Sequence, residues 1–283
     1  MNLYLSGGGI KGACHIGVLQ ALEEENIKIE SISGVSSGSI IATLYAIGYR
    51  PNEIYEIFKK YAKSIKYIEM RNIFKLIKGL IVKREFNIKG LNSGEKLEKL
   101  IKEYCLKKNI KNISDIKMDL LIPSIELYDG KIYIFTSSKK RNGYSDEIVY
   151  NNDMEIEKVV RASCSYPGIF EPYKVGEKEF IDGGIRGNIL CRELKENGID
   201  KIIGVIFNRE ITKDSNKNII DVVTNSISLL SYELSKREKH NFDYIIDIKT
   251  EKISLLDVSK IEYLYDLGYY MTKKRISEIK SLF

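Results

Sequence analysis

A Gly-Val-Ser-Ser-Gly pentapeptide at positions 34–38 constrains this fold more than any other stretch of the sequence. An apolar, strand-like segment precedes it, and a pattern with helical spacing follows it. A G-x-S-x-G sequence between a strand and a helix is typical of a nucleophile elbow, in which a tight turn exposes a strained serine. Gly34 and Gly38 lack the Cβ atoms that would collide in such a turn. The pattern predicts that Ser36 is a nucleophile. The alternative is a loop that caps a helix at Ser37.

The overall composition is that of a folded protein without a membrane span. The chain has 283 residues, of which 43% are hydrophobic and 30% charged, enough for a core in one or two domains. No apolar run approaches the roughly 20 residues that cross a bilayer, and the N-terminus lacks the basic region of a signal peptide. The four cysteines are far apart and form no CxxC pair, so we expect reduced thiols in a cytoplasmic protein.

A second glycine-rich loop, at positions 7–12, separates the first predicted strand from the first predicted helix. Such a loop presents free backbone N–H groups. They could bind a dinucleotide, because Gly7, Gly9 and Gly12 spell G-x-G-x-x-G, or they could stabilise an oxyanion. A dinucleotide fold has an acidic residue at the end of the second strand. Here the serine elbow stands at that place, which favours the oxyanion hole.

Strands and helices alternate along the remaining sequence. The predicted strands are 118–126, 131–137, 179–181, 201–207 and 244–248, and Asp129-Gly130 predicts a hairpin between the first two. Helical patterns cover most of 51–106 and then 155–162, 219–239 and 258–279. This alternation predicts an α/β fold with a largely parallel sheet and helices on both faces.

The segment 59–89 concentrates positive charge. It holds ten Lys and Arg residues against two Glu, whereas the whole chain has a net charge of +6. Within it, residues 73–81 place apolar side chains opposite lysines in a helical pattern. The segment is either an ordinary helix with a solvated basic face, or a lid or interfacial element that meets anionic lipid. We expect no nucleic acid, because aromatic residues are sparse there and no binding motif is found.

The serine needs a general base, for which the sequence offers few candidates. His15 and His240 are the only histidines, and neither lies in a loop after a strand, where a triad histidine is expected. We therefore expect structural or surface roles for both. Asp182 follows a predicted strand, and Gly183 and Gly184 allow a sharp turn that presents its carboxylate to a cleft. An ordinary β-turn is the alternative for this Asp-Gly-Gly sequence.

The chain contains three motifs in the order Gly7–Gly12, Gly34–Gly38 and Asp182–Gly184. Together and in this order, they resemble the motifs of the patatin-like phospholipase family. The segment from Arg161 to Pro172 is similar to the one that precedes the family's aspartate. Leu190 departs from the family, which usually has a proline at that place.

The resemblance implies a three-layer α/β/α hydrolase formed by one domain, 1–283, with a helical, basic insert or lid at about 51–108. It implies a dyad without histidine, in which Ser36 is the nucleophile and Asp182 the base. The oxyanion hole would be the glycine loop, with Gly7, Gly8, Gly9, Lys11 and Gly12.

The substrate that the resemblance implies is the acyl ester of a phospholipid or a related lipid, with no metal or organic cofactor. Peripheral membrane contact through 59–89 is a further expectation. A thioesterase or a short-chain carboxylesterase would use the same dyad and stays open at this stage. A nucleotide-binding module is disfavoured by the elbow, and a catalytically idle scaffold by the presence of both dyad residues.

Overall fold

A nine-stranded mixed sheet forms the centre of the protein. The computed structural model describes residues 1–65, 89–139, 146–186, 191–196, 198–208, 219–250 and 253–282. The strands are β1 (Asn2–Leu5), β2 (Ser31–Gly34), β3 (Gly90–Asn92), β4 (Asp119–Glu126), β5 (Ile132–Thr136), β6 (Ile148–Asn151), β7 (Gly168–Phe170), β8 (Tyr173–Val175), β9 (Lys178–Asp182), β10 (Ile202–Phe207) and β11 (Tyr244–Ile248). The described helices are α1 (Gly12–Glu24), α2 (Ser37–Ala46), α3 (Pro51–Ser64), α4 (Glu95–Leu106), α5 (Ile156–Ser163), α6 (Cys191–Glu196), α7 (Ile219–Glu238), α8 (Ile261–Lys273) and α9 (Ile276–Lys280).

The strand order is β11-β10-β1-β2-β4-β5-β6, and the five strands from β11 to β4 are parallel. Strand β5 is antiparallel to β4, β9 pairs with β4 in the antiparallel sense, and β8 pairs with β9. Because β1 and β2 are parallel neighbours, the glycine loop and the serine turn that follow them lie at the same edge of the sheet.

The register of two strand pairs brings the aspartate level with the serine. In the parallel pair, Ser33 of β2 stands opposite Leu121 of β4. Three residues further along β4, Ser124 stands opposite Asp182 of β9, and its hydroxyl donates to the Ile181 carbonyl. The antiparallel return of β9 along β4 therefore places Asp182 beside the residues that follow β2.

Apolar clusters cover both faces of the sheet. Leu3 and Leu5 of β1 belong to the larger cluster, which includes side chains of α1, α2 and α8. Tyr4 lies on the opposite face, in a smaller cluster with Leu194 of α6 and with Phe242. The alternation along β1 is what a buried strand between two helical layers requires. The predicted three-layer α/β/α fold with a mostly parallel sheet is confirmed.

Helices α1 and α8 cross with their backbones in contact. A Cβ atom built on Gly17 would lie 2.0 Å from the Tyr265 carbonyl oxygen, and one on Gly268 would lie 2.0 Å from the Cys14 carbonyl oxygen. Only glycine allows this approach, which fixes α8 against the helix that begins at the glycine loop.

Strands β6, β7 and β8 and helix α6 were not predicted from the sequence, and the predicted elements differ from the structure in two places. The C-terminal helix predicted over 258–279 is interrupted: α8 ends at Lys273 and α9 begins at Ile276, which brings Ile279 into the core. The predicted insert begins and ends with helices α3 and α4, but it also contains the short strand β3, which pairs with β7. Most of the basic segment, 66–88, with its amphipathic pattern, lies outside the described residues.

Among the helices that the structure describes, none is both long enough and apolar enough to cross a membrane. The four cysteines are all buried and free, as the sequence predicts.

We expect Gly268→Ala to destabilise the protein by about 1–3 kcal/mol or more, because the new methyl group forces α1 and α8 apart. Gly130→Asn is the matched control: nothing lies within 4 Å of a Cβ at Gly130, whose φ of +71° is one that asparagine tolerates. Urea unfolding measures both. Equal stability of the two variants would contradict the close helix crossing.

Candidate active site

The turn after β2 holds Ser36 in a strained conformation, with φ of 53° and ψ of −126°. Non-glycine residues rarely adopt this region, and they do so mostly at functional sites. The two flanking glycines make the turn possible. A Cβ on Gly34 would lie 2.3 Å from the Gly38 carbonyl oxygen, and one on Gly38 would lie 2.3 Å from the Leu5 carbonyl oxygen. The expected elbow geometry is present.

The C-terminal end of α5 holds the backbone of this serine. The Ser36 amide donates to Ser163 Oγ at 3.2 Å, and the Ser163 hydroxyl donates in turn to the Pro123 carbonyl at 2.7 Å. The Ser36 carbonyl accepts from Ser39 Oγ at 2.6 Å and from Cys164 Sγ at 3.2 Å. Both polar backbone groups of the strained residue are thus satisfied by side chains.

Asp182 is the last residue of β9, and its side chain is buried. Its amide donates to the Ser165 carbonyl at 3.1 Å, and its Oδ1 accepts from the Gly184 amide at 2.8 Å. Burial raises the pKa of Asp182 to about 6, against the opposing effects of the Ser36 hydroxyl and the Gly184 amide. A carboxyl with this pKa is ionised at neutral pH yet accepts a proton readily.

The contact between the Ser36 hydroxyl and Asp182 falls short of a full hydrogen bond. Oδ2 of Asp182 is buried and has no hydrogen-bond partner among the described residues. The serine is nevertheless close enough to lower the pKa of the aspartate. Contacts of this kind in free enzymes often tighten only when substrate is bound.

The two glycines after the aspartate have separate tasks in a short 3-10 turn, Gly183–Arg186. A Cβ on Gly183 would lie 2.6 Å from the Pro123 carbonyl oxygen and 2.8 Å from Val35 Cγ2. Gly183 therefore lets the turn pack directly against the elbow, whereas Gly184 supplies the amide that holds the carboxylate.

The glycine loop lies against the elbow and against the C-terminal part of the chain. A Cβ on Gly12 would lie 3.0 Å from Ser37 Cβ. Gly8 has no room for a side chain, because its Cβ would lie 2.7 Å from the ring of Phe207. Gly9 has φ of +57°, and its Cβ would lie 2.5 Å from the Leu255 carbonyl oxygen.

Two backbone hydrogen bonds fix the conformation of this loop. The Ile10 amide donates to the Leu255 carbonyl at 2.9 Å, and the Lys11 amide donates to the Gly8 carbonyl at 3.1 Å. The amides of Gly8 and Gly9 have no partner among the described residues. Gly7 directly follows Ser6, and the Lys11 side chain is buried. The structure thus brings all the predicted site residues to one edge of the sheet.

Arg161 is a supporting residue for which the sequence gives no role beyond the family-like segment. Its guanidinium is buried and donates to the Ser93 carbonyl, the Glu171 carbonyl and Ser165 Oγ, each at 2.7 Å. Burial lowers its pKa. Because the Ser165 carbonyl accepts from the amide of Asp182, this cation fixes the strand end that carries the carboxylate. The only signal in the sequence was the Arg-Ala-Ser-Cys-Ser run that ends a helix.

Neither histidine is placed to act as the base. His15 is buried in α1, where its Nε2 lies 2.7 Å from the Ser6 carbonyl oxygen and its ring packs 4.7 Å from that of Phe207. Burial lowers the pKa of His15 to about 4. His240 is exposed beyond the end of α7. In the described part of the chain, no group of three or more His, Cys, Asp or Glu side chains is placed to hold a metal ion.

The mostly parallel sheet, with helices on both faces and a serine turn after its second strand, defines an α/β protein of the three-layer class. A family model described as patatin-like phospholipase matches residues 3–195, and the chain therefore belongs to the patatin-like phospholipase family.

Individual relatives agree with this assignment. The chain is 33% identical to the "probable lipid hydrolase 463L" of Invertebrate iridescent virus 6 over 189 residues, which cover 66% of this chain and 60% of that protein. It is 29% identical to the lysophospholipase NTE1 of Candida albicans over 72% of this chain but only 13% of that much longer protein. Both relatives are named for lipid hydrolysis.

The fold is also that of VipD from Legionella pneumophila. The crystal structure of that protein aligns with a TM-score of 0.54 over 98% of this chain and 66% of VipD, at 16% sequence identity. At this level of identity, the likeness concerns the fold alone.

We expect Asp182→Asn to stabilise the protein increasingly as the pH rises. The folded state raises the pKa of Asp182 from 3.8 to about 6, so it binds the proton more tightly than the unfolded chain does. The contribution of Asp182 to the free energy of unfolding is greatest below pH 3.8 and falls as the pH rises to about 6. The stability difference between variant and wild type should therefore grow by about 2 kcal/mol from pH 4 to pH 7.

Urea unfolding across this pH range measures the difference. Asp153→Asn, at an exposed position, is the control and should show no such trend. A constant difference for Asp182→Asn would mean that the carboxyl is not strongly desolvated.

Proposed function

We propose that this protein is a lipid acyl hydrolase of the phospholipase A type, in which Ser36 is the nucleophile and Asp182 its general base. The observation that carries the proposal is the buried Asp182 carboxyl, with its raised pKa, beside a serine held in a strained turn. A positioned base next to an accessible, half-buried hydroxyl is the arrangement that nucleophilic catalysis needs.

In the first half of the reaction, the Ser36 hydroxyl attacks the ester carbonyl carbon while Asp182 takes the hydroxyl proton. The tetrahedral intermediate carries a negative oxygen. The unpartnered amides of Gly8 and Gly9, with the amide of Ser37 at the start of α2, are the donors proposed to hold it. Collapse of the intermediate breaks the ester C–O bond. The leaving alcohol takes the proton from Asp182, and an acyl-Ser36 ester is left.

The second half repeats these steps with water. Asp182 removes a proton from a water molecule, which attacks the acyl-enzyme, and the same amides stabilise the second oxyanion. Collapse releases the fatty acid and returns the proton from Asp182 to Ser36. Gly7 and Lys11 belong to the same loop, and Gly12 gives it room beside Ser37. The whole cycle needs no histidine.

A lipid substrate is proposed because of the family and because two relatives are described as a lysophospholipase and a probable lipid hydrolase. The dyad itself would cleave a thioester or a short-chain ester by the same steps. A panel of phosphatidylcholine, lysophosphatidylcholine, an acyl thioester and p-nitrophenyl butyrate discriminates among these. Faster turnover of both phospholipids than of the thioester is the result expected.

We expect a fluorophosphonate to label Ser36, and Ser36→Ala to lower kcat for p-nitrophenyl butyrate by about 10³-fold or more, because the nucleophile is lost. The fold should be retained, since the replaced hydroxyl forms no hydrogen bond that supports the turn. Ser64→Ala, on the surface of α3, is the control and should keep full activity and labelling. Mass spectrometry of the labelled peptide identifies the site. Labelling of a different serine would contradict the assignment.

Activity should require the ionised form of Asp182. We expect kcat/KM for the soluble ester to fall about tenfold per pH unit below pH 6, because this parameter reports the free enzyme and the pKa of Asp182 is about 6. Asp182→Asn should remove most activity at every pH, since an amide cannot take the proton. His240→Gln should leave the pH profile unchanged. If His240→Gln lost activity while folded, a histidine triad would replace the dyad.

A further inference from the structure

Helix α7 has the reverse of the usual amphipathic arrangement. Its small hydroxyl residues face the protein. The Ser231 hydroxyl donates to the Gly184 carbonyl, Ser228 shares a hydrogen bond with the Tyr166 hydroxyl, and that hydroxyl donates to the Thr224 carbonyl at 3.1 Å. Five of its aliphatic side chains face solvent and are between 41% and 65% exposed, whereas Ile227 is half-buried. The exposed ones are Val222, Val223, Leu229, Leu230 and Leu234.

These five side chains lie on one side of the helix, which we call the α7 apolar face. At 100° per residue they fall within an arc of about 140° along a little over three turns, and Ser226 and Glu233 lie exposed between them. Single exposed aliphatic residues are ordinary, but five of them on one side of one helix make that side a candidate binding surface. A soluble helix in water would carry polar residues here, and a helix packed on its own core would turn these residues inward.

The size of the α7 apolar face argues against a second protein as its occupant. From Val222 to Leu234 the helix is about 18 Å long and about 10 Å wide. Such an area is far below the roughly 800 Å² that each partner buries in a stable protein interface. A lipid surface sets no such minimum, because a helix that lies in the headgroup region buries whatever apolar face it has.

The charges beside the α7 apolar face indicate the kind of lipid. Lys236 and Arg237, two and three residues after Leu234, are exposed. They outnumber Glu233, the exposed carboxylate of this face, whereas Glu238, one turn after Leu234, is half-buried and accepts from Asn241 Nδ2. Aliphatic side chains beside basic ones are what an anionic membrane surface attracts.

We propose that the α7 apolar face docks this protein on an anionic phospholipid surface; the proposal rests on the lipid hydrolase function proposed above. Ser231 connects α7 to the carbonyl of Gly184, two residues after Asp182. Docking through the opposite side of α7 therefore brings the dyad to the lipid without moving it. The α7 apolar face acts in binding and is not a catalytic element.

The test measures vesicle binding in the Ser36→Ala background, so that hydrolysis does not alter the lipid. The vesicles are phosphatidylcholine mixed with phosphatidylglycerol, and flotation gives the bound fraction. Leu229→Gln/Leu230→Gln should lower the partition coefficient about tenfold or more, because two exposed leucines lose their apolar burial in the membrane. Leu106→Gln, on α4 and 52% exposed in the free protein, is the matched control and should bind like the parent.

Unchanged vesicle binding by the double variant would overturn the proposal. So would a dimeric parent that the double variant converts to a monomer in gel filtration, since a second copy would then cover the face. The Leu229→Gln/Leu230→Gln variant that retains Ser36 should hydrolyse p-nitrophenyl butyrate at the wild-type rate. A lower rate would mean that the α7 apolar face is part of the active-site wall.

Activity assays of the wild-type enzyme test the proposed function separately. If wild type cleaves neither the soluble ester nor phospholipid, the hydrolase proposal fails, whatever the flotation result. If it cleaves the soluble ester and the double variant still floats with vesicles, only the docking proposal fails.

Discussion

The backbone of Ser36 is held in a conformation that costs about 1–3 kcal/mol, and the arrangement of the site depends on holding it there. Its amide and carbonyl are both bound by side chains, from Ser163 on one side and from Ser39 and Cys164 on the other. The hydrogen bonds with Ser163 and Cys164 are formed only if α5 ends where it does. The strained conformation therefore depends on tertiary contacts as well as on the glycines and Ser39 of the turn itself.

The same end of α5 also fixes Asp182, the proposed base. Ser165 accepts the amide of Asp182 through its carbonyl, and its hydroxyl accepts from the buried guanidinium of Arg161. One short segment thus holds Ser36 and Asp182 by adjacent residues, although the two are far apart in sequence. A shift of α5 would displace Ser36 and Asp182 together. The distance between the two residues is therefore less sensitive to such a shift than the position of either residue.

The sequence predicts the local parts of this site well and the supporting parts poorly. Ser36 and Asp182 are recognisable because the glycines at fixed positions beside them are required for steric reasons. The α/β alternation follows from the hydrophobic pattern. The strands β3, β7 and β8 are only three residues long, too short for a periodic signal. Arg161 was missed because its partners are mostly backbone carbonyls from distant segments, which leave no side-chain pattern.

The family model ends at residue 195, but residues beyond that point contact the glycine loop and fix its conformation. The ring of Phe207 closes the space beside Gly8, and the carbonyl of Leu255 accepts the Ile10 amide and abuts Gly9. Strand β10, which carries Phe207, is also the partner of β1 on the side away from β2. A chain cut at the family boundary would keep every motif residue and lose the surfaces that shape one of the three motifs. The residues after 195, which the family model does not match, therefore determine the conformation of the glycine loop near the N-terminus.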